Sequence, residues 1–189
     1  MIQLCSGSIR RIDILKKFKI SFFNIKSTLK QEPRYTSGKI KSYVRNLAKL
    51  KGNAAIAQTQ DWILTADTIV VLDNIVFYKP KSFLEAIGML KLLSGQTHQV
   101  ITGICFTSPK THVQISRTVS TFITFPDLTE SSIKKYVYEN NPLDKAGGYG
   151  IQDVPAYFIS YQKGCYFNVM GLPIYALLRL AKQYDIILD

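Results

Sequence analysis

The sequence predicts an α/β fold in which helices flank a mixed, twisted β-sheet. Helix-like and strand-like segments alternate along the chain, and two predicted hairpins interrupt that alternation. The composition is that of a compact protein, because 47% of the 189 residues are hydrophobic and only 20% are charged. A chain of this length can bury one sizeable core, so we expect a single domain over residues 1–189.

The strands are predicted from short apolar segments that are bounded by turn residues. Asp73 and Asn74 suit a tight hairpin turn, and residues 108–111 suit a second one. The predicted strands are residues 2–5, 20–25, 62–72, 75–78, 99–107, 112–124 and 156–161.

The helices are predicted from apolar residues at helical spacing and from residues that cap helix ends. The hydroxyls of Ser8 and Thr129 can accept a backbone N–H at a helix start, and Gly95 suits a helix end. The predicted helices are residues 9–18, 39–58, 82–93, 129–140 and 172–184, with predicted loops at residues 27–38 and 142–150.

The composition also limits the partners and the compartment. A net charge of +11 favours an anionic partner, such as nucleic acid, an anionic membrane or a phosphorylated small molecule. Three widely separated cysteines argue against a disulfide framework or a zinc site, and two histidines cannot supply a three-histidine metal site. There is no signal-peptide pattern and the apolar runs are strand-sized, so we expect a cytoplasmic protein without a membrane span.

The first candidate cluster is residues 6–11, which follow the first predicted strand and open the first predicted helix. A helix N-terminus in that position faces an anion in many proteins. Arg10 and Arg11 oppose the helix dipole there, and a bound phosphate would compensate for them. The alternative is that both arginines are simply solvated surface residues.

The second candidate is Asp67, a carboxylate inside the otherwise apolar run of residues 63–72. Such a group is unfavourable unless it is ion-paired, hydrogen-bonded or bound to a metal. Asp67 is therefore a candidate to hold a divalent ion or to activate water. The alternative is a structural aspartate at a strand bulge.

Two more candidates lie at the ends of predicted elements. Lys79, before Pro80, places a point charge after a strand, although Lys–Pro pairs are common at such joints. Residues 144–152 hold three glycines that allow close approach to a ligand, and Gln152 offers a donor and an acceptor to a base edge. A tight loop without a ligand is the alternative, and we interpret His98 as a structural histidine.

Six segments, taken in order, resemble the Maf family of nucleotide pyrophosphatases. The family patterns Leu-Ala-Ser-x-Ser-Pro-Arg-Arg, Ala-Asp-Thr and Lys-Pro correspond to residues 4–11, 66–68 and 79–80. The patterns Leu-Ser-Gly-x-x-His-x-Val-x-Thr-Gly, Asp-Lys-Ala-Gly-x-Tyr-Gly-Ile-Gln and Asn-Val-x-Gly-Leu-Pro correspond to residues 93–103, 144–152 and 168–173. The resemblance covers nearly the whole chain, and Cys5, Ile9 and Gly52 depart from the usual residues.

The resemblance implies two lobes about a central cleft, a homodimer, and metal-assisted attack of water at the α phosphorus of a nucleoside triphosphate. Thr68 resembles the branch that prefers dTTP and UTP, so the implied substrates are these or modified pyrimidine nucleotides. The implied cofactor is a divalent metal cation (Mg, Mn or Co), and neither a membrane nor a nucleic-acid partner is expected. The implied catalytic residues are Asp67, Glu32 and Lys79; the metal ligands Asp67 and Glu32; and the substrate-binding residues Ser6, Arg10, Arg11, Lys51, Thr68, Lys145 and Gln152.

The acidic residue that the family carries before its long helix is ambiguous in this chain. Counting forward from Arg11 gives Gln31, counting backward from Lys51 gives Glu32, and we predict Glu32. Two other functions stay open: a nucleic-acid-binding module, suggested by the charge, and a catalytically degenerate Maf-like protein that acts through protein or nucleic-acid binding in cell-division control.

Overall fold

The computed structural model describes residues 1–188, and within them the strands form one seven-stranded mixed sheet. Strand order is β2-β1-β3-β5-β6-β7, and β4 pairs with β3 beside this path. β1 is parallel to β2 and β3, whereas β4 is antiparallel to β3 and β7 is antiparallel to β6. The strands are β1 Ile2–Cys5, β2 Phe22–Ile25, β3 Ile63–Leu72, β4 Ile75–Phe77, β5 Thr97–Thr107, β6 Gln114–Thr124 and β7 Tyr161–Lys163.

The helices join these strands and confirm the predicted α/β class. They are α1 Ile9–Lys17, α2 Ile40–Ala55, α3 Phe83–Leu93, α4 Glu130–Asn140, α5 Tyr166–Val169 and α6 Ile174–Gln183. The caps of α3 and α4 follow from the sequence, because the hydroxyls of Ser82 and Thr129 accept the backbone N–H of Glu85 and Ser132. Within residues 1–188, no helix has the length and apolarity needed to cross a membrane.

The chain divides into two compact units. The first unit comprises residues 1–67, 102–119 and 171–188, and its helix α2 lies very close to strand β5. A β-carbon added to Gly103 would lie 2.7 Å from the carbonyl oxygen of Val44, so only glycine permits this approach. The Thr65 hydroxyl on β3 donates to the Ala48 carbonyl of α2 at 2.6 Å, which fixes the helix against a second strand.

The second unit comprises residues 68–101 and 120–170 and has its own aromatic core. The Phe125 ring lies 5.0 Å from the Tyr149 ring and 6.2 Å from the Phe158 ring. The β3–β4 turn has positive φ at both Asp73 (48°) and Asn74 (66°), which is the geometry of the predicted tight hairpin. This core supports the glycine-rich segment, because the Tyr136 hydroxyl accepts the backbone N–H of Gly150.

Two predictions of local structure are wrong. Residues 156–161 do not form a strand, because Ala156–Phe158 is a 3₁₀ turn that inserts Phe158 into the core, and the strand follows at Tyr161–Lys163. Ser8 occupies the N-cap position of α1, but its hydroxyl makes no capping hydrogen bond. Its backbone N–H instead donates to Ser6 Oγ at 3.1 Å, which tightens the turn after β1.

Other differences concern element ends. Predicted helix 39–58 ends at Ala55 and continues as a 3₁₀ turn, and predicted helix 172–184 starts at Ile174 because Pro173 stands at its N-cap. The short helix α5 was not predicted.

Candidate active site

The turn from β1 into α1 holds Arg11 in a fixed position. Its Nε donates to the carbonyl oxygen of Gly171 at 2.8 Å, and its Nη1 donates to Ser6 Oγ at 3.2 Å. Ser6 is 6% exposed, so this hydroxyl orients the guanidinium from inside the protein. The side chain of Arg10, the preceding residue in α1, is half-buried.

Asp67 forms the second part of the site, and it is paired rather than isolated. Its Oδ1 is ion-paired with Lys51 Nζ, and the same ammonium lies 2.8 Å from Glu32 Oε1. Helix α2 supplies Lys51, strand β3 supplies Asp67, and the loop before α2 supplies Glu32. The structure thus brings two predicted carboxylates and one predicted lysine to a single point in the first unit.

Burial and charge act in opposite directions on Asp67. The residue is 8% exposed, and its burial raises the pKa of the carboxyl group. The neighbouring Lys51 ammonium lowers the pKa, and so does the Arg11 guanidinium, but burial is the larger effect. Asp67 is consequently a better proton acceptor than an ordinary exposed aspartate.

Asp67 and Glu32 fit a divalent cation in the chemistry of their donor atoms. Their oxygens already converge on one positive charge, the Lys51 ammonium, and carboxylate oxygen is the ligand that magnesium and manganese prefer. Within residues 1–188 no cluster of three or more Asp, Glu, His or Cys could hold a metal. Magnesium is commonly bound by two protein carboxylates, with substrate phosphates and water as its other ligands.

The glycine-rich segment of the second unit carries a separate polar cluster. Lys145 Nζ lies 2.9 Å from Asp144 Oδ1 and 3.4 Å from Asp153 Oδ2. Gln152 Nε2 donates to the same Asp153 oxygen at 2.8 Å. The side chains of Lys145, Gln152 and Asp153 lie over Gly150, where an added β-carbon would clash with all three.

Two other predicted residues belong to the second unit. Thr68 directly follows Asp67 on β3 and is half-buried, and Lys79 is exposed in the segment between β4 and α3. His98 is structural as predicted: it is 1% exposed, and its Nε2 lies 2.7 Å from the Tyr149 hydroxyl.

Comparison with known proteins matches these motifs over nearly the whole chain. The family model described as "Maf-like protein" matches residues 1–184. The chain belongs to the Maf family. A dTTP/UTP pyrophosphatase of Clostridium perfringens strain 13 is 35% identical to it over 98% of this chain and 97% of the relative.

Other Maf relatives agree with that match. A dTTP/UTP pyrophosphatase of Bacillus cytotoxicus is 41% identical over 96% of this chain and 94% of the relative. Among solved structures, a nucleoside-triphosphatase of Mycobacterium abscessus shares 9% identity, with a TM-score of 0.43 over 67% of this chain and 74% of that one. That likeness is too distant to bear on the fold or the function.

Two features of the candidate site were not predicted from the sequence. Asp153 contacts both Lys145 and Gln152, and its position directly after the last residue of the recognised motif was the available signal. The carbonyl oxygen of Gly171 fixes Arg11 across 160 residues of chain, and a backbone acceptor leaves no signal in side-chain chemistry.

Proposed function

We propose that this Maf chain hydrolyses dTTP, UTP or modified pyrimidine nucleoside triphosphates to the monophosphate and pyrophosphate. The observation that carries the proposal is the convergence of Asp67 and Glu32 on Lys51 in the unit that also holds Arg11. The names of the relatives, which are 35% and 41% identical over nearly the full chain, support the substrate class.

The reaction breaks one bond and forms another at the α phosphorus. The oxygen of a water molecule bonds to the α phosphorus, and the bond from that phosphorus to the oxygen bridging to the β phosphorus breaks. Asp67 is the catalytic carboxylate, which accepts the proton that water loses. Lys51, Arg10, Arg11 and Lys79 balance charge on the departing pyrophosphate, and Ser6 orients Arg11.

Asp67 and Glu32 would hold the divalent cation. A bound cation supplies Lewis-acid neutralisation of phosphate charge in such reactions. Lys51 contacts both carboxylates, so in its absence their negative charges would repel each other.

We assign base recognition to Thr68, Arg10 and Gln152, and a general substrate-binding role to Lys145. The Asp153 carboxylate can only accept hydrogen bonds, so it fixes Gln152 with the amide nitrogen towards Asp153. The amide oxygen and the second N–H of Gln152 are then left to bind a base, and their relative positions are fixed. An amide with one donor and one acceptor matches the N3–H and the adjacent carbonyl of uracil or thymine.

Two further parts of the proposal concern the setting of the enzyme. A cytoplasmic location suits Cys5, Cys105 and Cys165, which are all free thiols. A homodimer is the assembly that we expect in solution, and size-exclusion chromatography with light scattering measures it directly.

Pyrophosphate release from a nucleotide panel tests the proposed function. The panel contains dTTP, UTP, CTP, methylated GTP and modified pyrimidine triphosphates, each with magnesium, manganese or cobalt. We expect turnover confined to dTTP, UTP and their relatives. Asp67→Asn should lower kcat by roughly 10²–10⁴-fold, because it removes the proton acceptor and a metal ligand without changing side-chain volume.

The matched control is Asp61→Asn. Asp61 is an exposed carboxylate just before β3 that accepts a hydrogen bond from Gln3 Nε2 at 3.1 Å, at the opposite end of β1 from Ser6. Its variant should retain wild-type turnover. Full activity of Asp67→Asn would refute the catalytic assignment, and a wild-type protein inert on the whole panel would favour a non-catalytic Maf-like function.

A further inference from the structure

The loop that carries Glu32 lies along helix α2 and is attached to it at several levels. We call residues 27–38 the Glu32 loop; none of them lies in a helix or strand. The chain runs along α2 in the opposite direction, because successive loop residues contact progressively earlier helix residues. From the loop's start onward, the contacts are the Thr28 hydroxyl to the Ala54 carbonyl, Lys51 to Glu32, and the Tyr43 hydroxyl to the Pro33 carbonyl.

The ion pair of Glu32 is too weak to hold this loop by itself. The Glu32 side chain is 51% exposed, and an ion pair in such a place contributes little once solvent screening and side-chain entropy are counted. Glu32 therefore stays beside Lys51 only if the backbone on both sides of it is anchored. Thr28 provides the anchor before Glu32, and the Tyr43–Pro33 hydrogen bond provides the anchor immediately after it.

The Tyr43 anchor has the firmer geometry. The Tyr43 hydroxyl donates to the Pro33 carbonyl oxygen at 2.9 Å. The Tyr35 ring, from the same loop, packs against the Tyr43 ring with centroids 5.4 Å apart and planes at 61°. Tyr43 and Lys51 both belong to α2, so one helix supplies the charge that binds Glu32 and the hydroxyl that fixes the neighbouring residue.

We propose that Tyr43 is a positioning residue for the reaction, which acts by holding the Glu32 loop so that the Glu32 carboxylate stays beside Lys51 and Asp67. Tyr43 itself touches no reacting atom. The inference rests on the proposed function, because the position of Glu32 affects turnover only if this carboxylate takes part in it.

The test compares Tyr43→Phe with Tyr35→Phe. Each variant removes one phenolic hydroxyl that donates to a loop carbonyl, but the Tyr35 hydroxyl donates to Gly38, which belongs to the loop itself, at 2.7 Å. Tyrosine and phenylalanine have nearly the same volume, so both variants should keep the fold. Thermal unfolding of each variant checks this.

Two readouts separate a positioning role from a merely structural one. Limited trypsin digestion reports the loop directly, because Lys30 and Arg34 are exposed within it. Loss of one hydrogen bond should raise the initial rate of cleavage after these residues about fivefold in Tyr43→Phe. Steady-state kinetics should show a kcat lowered by about three- to tenfold with KM changed less than about twofold. Tyr35→Phe should match the wild type in both readouts.

Several results would overturn the proposal: wild-type cleavage in Tyr43→Phe, an equal effect in Tyr35→Phe, or faster cleavage with unchanged kcat. If Tyr43→Phe does not fold, Thr28→Val removes the other anchor, and it must raise cleavage and lower kcat in the same way. A wild-type protein without turnover would contradict the proposed function, whereas the trypsin comparison would still decide whether Tyr43 holds the loop.

Discussion

Lys51 places one positive charge between the two carboxylates of Asp67 and Glu32. These three groups together carry one net negative charge, and the nearby Arg11 guanidinium balances it. Asp67 is almost fully buried, and burial raises the pKa of its carboxyl group, whereas the Glu32 side chain is 51% exposed. A difference in burial allows two acidic residues in one site to have different roles.

His98 is the residue whose burial has the clearest consequence for stability. Its ring lies 4.9 Å from the Phe125 ring and 5.4 Å from the Tyr149 ring, and its Nδ1 has no hydrogen-bond partner within residues 1–188. Burial lowers its pKa from 6.5 to about 4. Between these two values the unfolded chain binds a proton that the folded chain does not, so the free energy of unfolding falls as pH falls.

This contribution can be measured by urea unfolding at pH 7 and pH 5. The wild type should lose about 2 kcal/mol over this interval through His98. His98→Asn should be less stable at both pH values but should lack this part of the pH dependence. His112→Asn is the control, because His112 is exposed in the β5–β6 hairpin with a φ of 56° that asparagine tolerates. An identical pH dependence in wild type and His98→Asn would contradict the account.

Helix α2 determines the positions of the candidate site residues in the first unit. It carries Lys51 and Tyr43, and three strands fix its position. Thr65 on β3 and Gln114 on β6 donate hydrogen bonds to carbonyls of the helix, the latter to Lys49 at 2.8 Å, and Gly103 on β5 lies against Val44. A shift of this helix would move Lys51 relative to Asp67.

Gly103→Ala tests that contact against Gly88→Ala. A β-carbon on Gly103 would lie 2.7 Å from the Val44 carbonyl oxygen and 2.9 Å from its carbon, which are backbone atoms that cannot rotate away. The variant should lose about 1–3 kcal/mol of unfolding free energy and part of its turnover. Gly88, inside helix α3, has no atom within 4 Å of the added β-carbon, so Gly88→Ala should gain up to about 1 kcal/mol.

Denaturant unfolding of both variants checks this prediction. Wild-type stability of Gly103→Ala would mean that α2 does not lie against β5 as closely as described. A loss of stability in Gly88→Ala would show that replacing a glycine is harmful for reasons other than the contact.

The elements that were predicted best from the sequence are those that depend on one or two neighbouring residues. The β3–β4 hairpin depends on Asp73 and Asn74 alone, and the start of α4 depends on the Thr129 hydroxyl. The strand predicted at residues 156–161 is wrong because the apolar residues of this segment pack into the core of the second unit. The Phe158 ring lies 5.5 Å from the Tyr136 ring, and this contact depends on tertiary packing that the local sequence does not reveal. The link between Asp153 and Gln152 was missed for the same reason, because it depends on how the loop turns over Gly150.

At the scale of the whole molecule, the net charge of +11 favours encounter with an anionic nucleotide. The predicted residues fall in both compact units: Ser6, Arg11, Lys51 and Asp67 in the first, and Thr68, Lys79, Lys145 and Gln152 in the second. The Maf family match extends over residues 1–184 and therefore includes both sets.

In the proposed reaction, water attacks the α phosphorus of a pyrimidine nucleoside triphosphate. Hydrolysis of dTTP or UTP in ¹⁸O-labelled water, followed by mass spectrometry of both products, tests it most directly. We expect that the label enters the nucleoside monophosphate, that pyrophosphate stays unlabelled, and that Asp67→Asn makes neither product at an appreciable rate. Label in the pyrophosphate, or release of inorganic phosphate with a nucleoside diphosphate, would contradict it.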